Sequence, residues 1–293
     1  TCGKNCTPEV IARNEVRLGY DQPIHVQYGR FIKGIFAGRT YGQGDVAVHC
    51  PAPALGYSFE YHQCVTSLVT RTFPVTLSVA IGAFVLWMGI GVGLGTLAAL
   101  KRGRWQDRFA TTFSVVGISL PTFFVGLLAV LIVVIWTGIM DFPDYVGFTE
   151  NPIKWFTALI LPWCTLAIVS ASTYVRLTRN GILEVMNEEF VRLGLAKGVK
   201  RRTLIVKYVM RAAMVPIVTI AGLDFAALLG GAVITESVFN LPGMGKLSIK
   251  AVSDSDLPVL VATTLVAAVL IVLANAVVDI AYGFLDPRVR EKS

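Results

Sequence analysis

The sequence has 293 residues, of which 54% are hydrophobic and only 15% are charged, whereas a soluble domain of this size is about a quarter charged. Its 26 Lys and Arg residues against 19 Asp and Glu residues give a formal net charge of +7. The charges are missing from several long stretches instead of being thinly spread, which excludes an ordinary soluble domain. The composition predicts an all-α polytopic membrane protein.

Residues 1–70 form a polar segment that contains four of the five cysteines, Cys2, Cys6, Cys50 and Cys64. An even number of cysteines in an oxidising compartment predicts disulfides. Four cysteines permit three pairings. We favour Cys50–Cys64 with Cys2–Cys6, and free thiols are the alternative.

Within this segment, residues 23–36 place apolar side chains at helical spacing, which predicts a short amphipathic helix. The sequence begins at Thr1 and has no apolar stretch that would carry residues 1–70 across a membrane. We therefore expect a span before this segment, so that the complete protein has six spans and the present sequence five.

Residues 71–285 contain five stretches with almost no charge, each long enough to cross about 30 Å of hydrocarbon as a helix. They lie between residues 71 and 101, 108 and 141, 154 and 176, 212 and 235, and 257 and 278, and only Asp224 interrupts them. Helices are expected because a backbone in lipid must satisfy its own hydrogen bonds. Close helix packing is predicted at Gly89, Gly91, Gly93 and Gly95. Kinks are favoured at Pro74, Pro121, Pro162, Pro216 and Pro258.

The positive charges alternate between successive connections. Residues 101–108 carry four Lys or Arg, residues 176–211 carry nine and the tail 286–293 carries three, whereas residues 141–154 and 236–256 carry one and two. The positive-inside rule therefore predicts that the basic connections and the C-terminus are cytoplasmic and that residues 1–70 are external. The basic charge indicates topology, and we expect no nucleic acid as a partner.

The sequence contains no motif whose residue types and spacing indicate catalysis or metal binding. Gly245 and Lys246 resemble the end of a phosphate-binding loop, but Leu247 stands where Ser or Thr is required and Asn240 where the first Gly is required. All three histidines lie in residues 1–70, and no Cys/His cluster has the spacing of a metal site. We expect that this chain is not an enzyme and binds no cofactor.

The connection at residues 188–216 predicts a helix, a turn at Gly198 and a second helix that enters the membrane. This connection resembles the EAA loop in the membrane subunits of binding-protein-dependent ABC importers, in particular the B-type subunit of oligopeptide and dipeptide permeases. The matching residues are Arg192, Ala196, Lys197, Gly198, Arg211, Ala213 and Pro216. The departures from the family's pattern are Leu193, Gly194 and Ala212.

Three further stretches carry the same resemblance. Residues 234–260, ITESVFNLPGMGKLSIKAVSDSDLPVL, are very similar to the segment after the family's fifth span, and residues 18–28, LGYDQPIHVQY, to the start of its external segment. Asn275, Asp279 and Tyr282 match its end, together with DPRVR at 286–290. The resemblance covers nearly the whole chain and is weakest at residues 42–63, which look like an insertion.

The resemblance implies a type I ABC importer transmembrane domain in the inner or plasma membrane. A second permease subunit would complete the pathway as a heterodimer, two ATPase subunits would bind inside, and a substrate-binding protein would deliver peptides outside. ATP and Mg would be held by the ATPase subunits. Peptide length is left open, and nickel-like or haem-like cargo is an alternative, because close relatives differ chiefly in the delivering protein.

The resemblance also assigns a role to the cytoplasmic loop 179–212, which would contain the coupling helix that seats in the ATPase. The residues expected at this contact are Phe190, Arg192, Ala196, Lys197 and Gly198.

Residues 236–250 are predicted to form a bent, re-entrant external turn, because NLPGMG is too rich in Gly and Pro for a long helix. Its candidate residues for the pathway or an external gate are Glu236, Phe239, Pro242 and Met244. Phe239 and Met244 are expected either to contact the binding protein or to anchor the loop to neighbouring spans.

Asp224 lies near the middle of its predicted span, where a carboxylate costs about 3 kcal/mol unless it meets water or a partner. One hypothesis is a hydrogen bond to a neighbouring helix, for instance from the Ser170, Ser172 and Thr173 group. The other is a negative site in the pathway that eases passage of a peptide's amino terminus.

The main alternative function is a secondary transporter or channel driven by an ion gradient. Such proteins usually carry several ionisable groups deep in the membrane, and here only Asp224 lies deep. No inverted repeat is evident either. A scaffold or receptor without transport is a third class, and co-purification with an ATPase separates the importer from both.

Overall fold

The computed structural model describes residues 22–42 and 47–285, which are mostly helical. The polar segment comes first, and its elements are α1 (Ile24–Ala37), β1 (Arg39–Tyr41), β2 (Val48–Cys50), β3 (Tyr57–Ser58) and β4 (Gln63–Cys64). The helices that follow are α2 (Val65–Leu100), α3 (Trp105–Ser119), α4 (Thr122–Trp136), α5 (Pro152–Met186), α6 (Glu189–Ala196), α7 (Arg201–Leu229), α8 (Val233–Val238), α9 (Met244–Ser253) and α10 (Leu257–Leu285).

In the described part of the chain, four helices are long and apolar enough to cross a membrane, namely α2, α5, α7 and the Leu257–Val278 part of α10. A fifth crossing exists only if α3 and α4 form one broken span, because these two helices meet at 101°. The predicted all-α polytopic architecture is therefore confirmed. The second predicted span, between residues 108 and 141, is not one straight helix.

The bend between α3 and α4 follows from Pro121. Proline has no N–H to continue a helix, and its ring disfavours the helical conformation in the residue before it. Accordingly, Leu120 and Pro121 are both extended, with φ/ψ of −95°/124° and −63°/139°. The other internal prolines, Pro74, Pro162 and Pro216, lie within continuous helices.

The centre of the fold is a close contact between α2 and α5. A Cβ atom on Gly82 would lie 2.0 Å from the ring of Trp163, and one on Gly91 would lie 2.5 Å from Cβ of Tyr174. A Cβ atom on Gly95 would lie 2.7 Å from the carbonyl oxygen of Val175. The contact therefore requires glycine at these three positions of α2, since small residues permit close approach between membrane helices.

Gly89 and Gly93 lie on another face of α2, where an added Cβ would meet nothing within 4 Å. The four glycines predicted to promote packing thus divide into two pairs. Of these four, only Gly91 and Gly95 contact another helix within the described residues.

The polar segment folds at one end of the bundle. The β1–β2 hairpin pairs Arg39 with Cys50, and the β3–β4 hairpin pairs Tyr57 with Cys64. A disulfide joins Cys50 to Cys64, as favoured from the sequence, with 5.7 Å between their Cα atoms. The Cys2–Cys6 prediction lies outside the described residues. The disulfide ties the two hairpins together directly before α2, which begins at Val65 instead of near residue 71.

The opposite end of the bundle is held by a small apolar cluster. Its buried members are Ala99, Ile182, Val191, Leu204, Val209 and Ala213. Because α2 has 36 residues, its two ends are about 54 Å apart. The connections that the sequence predicts to be cytoplasmic therefore lie together, far from the disulfide.

Gly95→Ala is expected to lower stability, because the new Cβ would overlap the backbone of α5, and overpacking of this kind costs about 1–3 kcal/mol. Gly93→Ala is the matched control, since it makes the same chemical change on the same helix into open space. Thermal unfolding of the purified protein in detergent measures both. Equal midpoints for the two variants would contradict the assigned α2–α5 contact.

Candidate functional site

The helix α6 ends in a well-defined turn at Gly198. Gly198 has φ +80°, its N–H donates to the carbonyl of Leu195 at 3.0 Å, and the N–H of Val199 donates to the carbonyl of Gly194 at 3.1 Å. These two bonds form the Schellman motif, in which glycine takes the left-handed conformation that closes a helix. The predicted helix and turn at this position are confirmed.

α6 is docked on the bundle by one face. Val191 is buried in the apolar cluster at the ends of α2, α5 and α7, and Gly194 lies so close to Leu204 that an added Cβ would be 2.8 Å from Cδ1. The predicted coupling residues are all exposed: Phe190, Arg192, Ala196, Lys197 and Gly198. One face of α6 is thus packed on the helix ends beneath it, and its other face is exposed.

Leu193 and Leu195 were not predicted at this surface, yet both are exposed beside the predicted residues. With Phe190 they place three large apolar side chains on one short helix outside the spans. Leu193 is also a departure from the family's pattern. The signal that could have identified both is the presence of leucines in a short loop helix, where exposed apolar side chains are typical of a protein contact.

An ion pair at the same end of the bundle was also missed. The Nε of Arg179 donates to Oδ1 of Asp107 at 2.6 Å, and Nη2 donates to Oδ2 at 3.1 Å. Oδ2 of Asp107 also accepts from the N–H of Gly103 at 2.9 Å. This bidentate ion pair holds the turn between α2 and α3 against the end of α5.

Asp224 in α7 has a partner on α5. The hydroxyl of Tyr174 donates to Oδ2 of Asp224 at 2.6 Å. The predicted hydrogen bond from a neighbouring helix to Asp224 is present, but its donor is Tyr174 and not the Ser170, Ser172 and Thr173 group. Tyr174 is itself buried in the α2–α5 contact, where its ring stacks on that of Trp87.

The carboxylate of Asp224 nevertheless lies on the exposed surface of this chain. A mid-span carboxylate in contact with lipid is unfavourable even when it has one hydrogen bond. This surface therefore fits contact with water or with another protein chain, and Tyr174 holds the carboxylate in a fixed position there.

Glu236 is fully buried and closes the start of helix α9. Its Oε2 accepts from the N–H of Lys246 at 2.9 Å, and its Oε1 accepts from the hydroxyl of Thr76 at 2.7 Å. The oxygen of that hydroxyl accepts in turn from the N–H of Met244 at 2.8 Å. A carboxylate and a hydroxyl thus satisfy free N–H groups at a helix N-terminus, where negative charge is favourable.

The space for this carboxylate depends on Gly243, because a Cβ there would lie 2.2 Å from the carboxyl carbon of Glu236. Burial raises the pKa of Glu236 above its usual value, and the hydrogen bonds from Thr76, Lys246 and Gly245 oppose that rise. The gate candidate Glu236 is thus a buried link between α2 and the turn that joins α8 to α9.

The other candidate residues in this turn differ in whether their side chains are buried or exposed. Phe239 and Met244 are fully buried, so they anchor the loop and offer no surface to a binding protein in this conformation. Pro242 is exposed, as is Asn240, whose side-chain oxygen accepts from Nζ of Lys246. The predicted bent turn is confirmed, since two short helices are joined by a non-helical stretch at residues 239–243.

Comparison with known families identifies the chain. Residues 91–291 match the model of the binding-protein-dependent transport system inner membrane component, and residues 1–80 match the model of the N-terminal part of such membrane components. The chain belongs to this family. It is a multi-pass inner-membrane protein, and the resemblance to ABC importer permeases is confirmed.

Individual relatives match over almost the whole permease chain. A Brucella abortus protein whose name describes a peptide transport system permease is 35% identical over 288 residues, which cover 98% of this chain and 87% of the relative. The glutathione transport system permease protein GsiC of Salmonella typhimurium is 34% identical over 290 residues, covering 99% of this chain and 87% of GsiC.

A solved structure supports the fold of the permease. An inward-facing MetNI methionine ABC transporter structure aligns with a TM-score of 0.55 at 16% identity, covering 75% of this chain and 95% of the MetNI chain. The predicted fold class, an ABC importer transmembrane domain with a disulfide in its polar segment, is confirmed.

Glu236→Leu in the permease is expected to destabilise it by about 3 kcal/mol, because the N–H of Lys246 and the hydroxyl of Thr76 lose their buried acceptor. Glu236→Gln keeps one acceptor oxygen and should cost about 1 kcal/mol. Thermal unfolding in detergent measures the stability of the two variants and gives their order. Glu150→Leu, at an exposed carboxylate, is the control and should change stability by less than about 0.5 kcal/mol. A Glu236→Leu variant as stable as this control would rule out the capping role.

Proposed function

We propose that this permease is one half of the translocation pathway of an ATP-driven importer, completed by a second permease subunit as a heterodimer. Two ATPase subunits would bind its cytoplasmic end and hold ATP and Mg, so that the chain itself is not an enzyme. A substrate-binding protein would deliver cargo at the external end. The observation that carries this proposal is α6, which is docked rigidly by one face and exposes its other face.

The ATPase contact is proposed at the exposed face of α6, formed by Phe190, Arg192, Leu193, Leu195, Ala196, Lys197 and Gly198. Apolar and basic side chains on a rigid helix suit insertion into a groove of a partner. Since Val191 packs with Ala99 and Ile182, a shift of α6 would move the ends of α2 and α5 as a body. Such a shift is how ATPase closure would reach the spans.

Two independent features support the proposed orientation. Basic residues are concentrated at the end of the bundle that carries α6, which the positive-inside rule places in the cytoplasm together with the C-terminus. The disulfide lies at the other end, and disulfides persist on the oxidising side of the membrane. In this orientation the turn at residues 239–243 is external, and its exposed Asn240 and Pro242 would contact the binding protein.

The proposed cargo is a peptide, since relatives that match 98–99% of the chain are named for peptide and glutathione transport. Asp224 would contribute a fixed negative charge to the pathway. Its carboxylate is exposed on this chain and held by Tyr174, which suits a favourable contact with the ammonium group of a peptide's amino terminus.

Gly198→Val is expected to abolish ATP-dependent peptide uptake while the complex still assembles. The residue has φ +80°, so a β-branched side chain strains the backbone by about 1 kcal/mol or more, and it would project into the space proposed for the ATPase. Uptake by proteoliposomes measures the effect, and size-exclusion chromatography reports assembly.

Gly103→Val is the matched control, since Gly103 also has φ +80° and open space around it but lies in the turn before α3. It should carry the same strain and keep uptake. Full uptake by Gly198→Val would be decisive evidence against the coupling assignment, and so would equal losses in the two variants.

Asp224→Asn is expected to reduce uptake of peptides with free amino termini about tenfold, which corresponds to roughly 1.4 kcal/mol of lost charge interaction. Peptides with acetylated amino termini should be unaffected, because Asn preserves shape and most hydrogen bonding. Tyr174→Phe is the companion variant, which keeps the charge but removes its hydrogen bond. Competition uptake assays compare each peptide with a free amino terminus against its acetylated counterpart. Equal uptake of the free and the acetylated peptides by the Asp224→Asn variant would leave only the structural role for Asp224.

A further inference from the structure

A cleft of about 390 Å³ opens between the polar segment and the start of the last span. One wall is α1, with Ile24, Tyr28 and Phe31, and the other is the first turn of α10, with Leu257, Pro258 and Val261. The proposed transport function uses none of these residues. The cleft lies at the disulfide end of the bundle, outside the pathway residues described above.

α1 exposes large apolar side chains although it lies outside the spans. Ile24 is 84% exposed and Tyr28, four residues later, is 65% exposed. Side chains at such intervals share one face of a helix. An amphipathic helix with an exposed aromatic and aliphatic stripe is typical of a segment that lies in the membrane–water interface.

The exposed stripe lies beside the exposed apolar surface of a spanning helix. Leu257 and Val261 are exposed on α10 and line the same cleft as Tyr28. Of the four long spans, α10 buries the smallest share of its residues within this chain. The apolar wall of the cleft is therefore continuous with the exposed apolar surface of a membrane-spanning helix, which favours a lipid over a soluble protein as occupant.

Among the described residues, the charged side chains that line the cleft are both positive, namely Arg30 and Arg39. α1 also carries Lys33 and contains no acidic residue. The guanidinium of Arg39 is fixed over the ring of Tyr41, 4.9 Å from its centroid. An apolar slot that opens to water beside two guanidinium groups matches a phospholipid, which has an acyl chain attached to a phosphate.

The cleft is held open by the surrounding structure. The hydroxyl of Ser58 in β3 donates to Oδ2 of Asp256, directly before α10, and the N–H of Ala54 donates to the carbonyl of Gly34 in α1 at 3.2 Å. The disulfide between Cys50 and Cys64 joins the two hairpins that carry these contacts. α1 is thus fixed relative to α10 and is not a free arm.

We propose that α1 lies in the membrane–water interface and that the cleft between α1 and α10 binds a membrane phospholipid. Its phosphate contacts Arg30 and Arg39, and an acyl chain lies along Tyr28, Leu257 and Val261. The polar segment is thereby anchored to the bilayer beside the external ends of the spans.

Photocrosslinking in the assembled importer tests this site. A benzophenone side chain is placed at position 24, at position 28 or, as control, at position 33, and the complex is reconstituted in nanodiscs of phosphatidylcholine and phosphatidylglycerol. Lys33 is exposed on α1 but lies about 140° around the helix from Tyr28. Mass spectrometry after illumination should find phospholipid adducts at positions 24 and 28, and far fewer at position 33.

A second arm measures lipid retention by native mass spectrometry of the detergent-solubilised importer with added phosphatidylglycerol. Arg30→Gln and Arg39→Gln should each weaken retention of one lipid about fivefold, the order expected for one cation at a lipid surface. Arg71→Gln, an exposed cation at the same end of the bundle that does not line the cleft, should have no effect. Adducts to another protein chain at position 28, equal labelling at all three positions, or unchanged retention in both cleft variants would overturn the proposal.

Discussion

The structure depends on the close contact between α2 and α5, which exists because three positions of α2 have no side chain. Gly82, Gly91 and Gly95 accept Trp163, Tyr174 and Thr178 of α5 directly against the backbone. Apolar side chains gain little by leaving lipid for protein, so this surface must be stabilised by shape and dispersion. A single methyl group is already too large at these positions, which makes the contact specific.

The functional groups are arranged around that contact. The hydroxyl of Tyr174 projects from this contact and donates to Asp224 on α7, and Thr76, toward the disulfide end of α2, donates to Glu236 before the start of α9. At the other end, Ala99 of α2 and Ile182 of α5 belong to the cluster on which α6 is docked. One pair of helices thus connects the proposed ATPase surface, Asp224 and the turn at residues 239–243. A body movement of these two helices would reach all three.

Much of this architecture was predictable because lipid imposes strong rules on a sequence. Charge-free windows indicated the spans, and Gly198 marked the end of α6 because glycine adopts φ +80° without the strain that a Cβ atom causes. The α3–α4 bend was harder to foresee, since Pro121 breaks its helix whereas Pro74, Pro162 and Pro216 do not. Whether a proline ends a helix depends on neighbouring packing, which local sequence does not contain.

The contacts that escaped prediction are long-range. Arg179 and Asp107 are 72 positions apart, and Tyr174 is 50 positions from Asp224, so each pair is brought together only by the packing of whole helices. The burial of Phe239 and Met244 likewise depends on how α8 and α9 fold back over α2 and α5. Residue type identified the candidate polar groups, but their partners and exposure required the tertiary structure.

The central claim is that this permease moves cargo because ATPase subunits drive it, and not because an ion gradient does. The most direct measurement is uptake of a labelled peptide by proteoliposomes that contain the permease pair, the ATPases and the binding protein, with an ionophore present throughout. We expect accumulation that requires ATP and the binding protein and that persists when the ionophore collapses all ion gradients. Uptake that proceeds without the ATPase subunits and disappears with the ionophore would contradict the account.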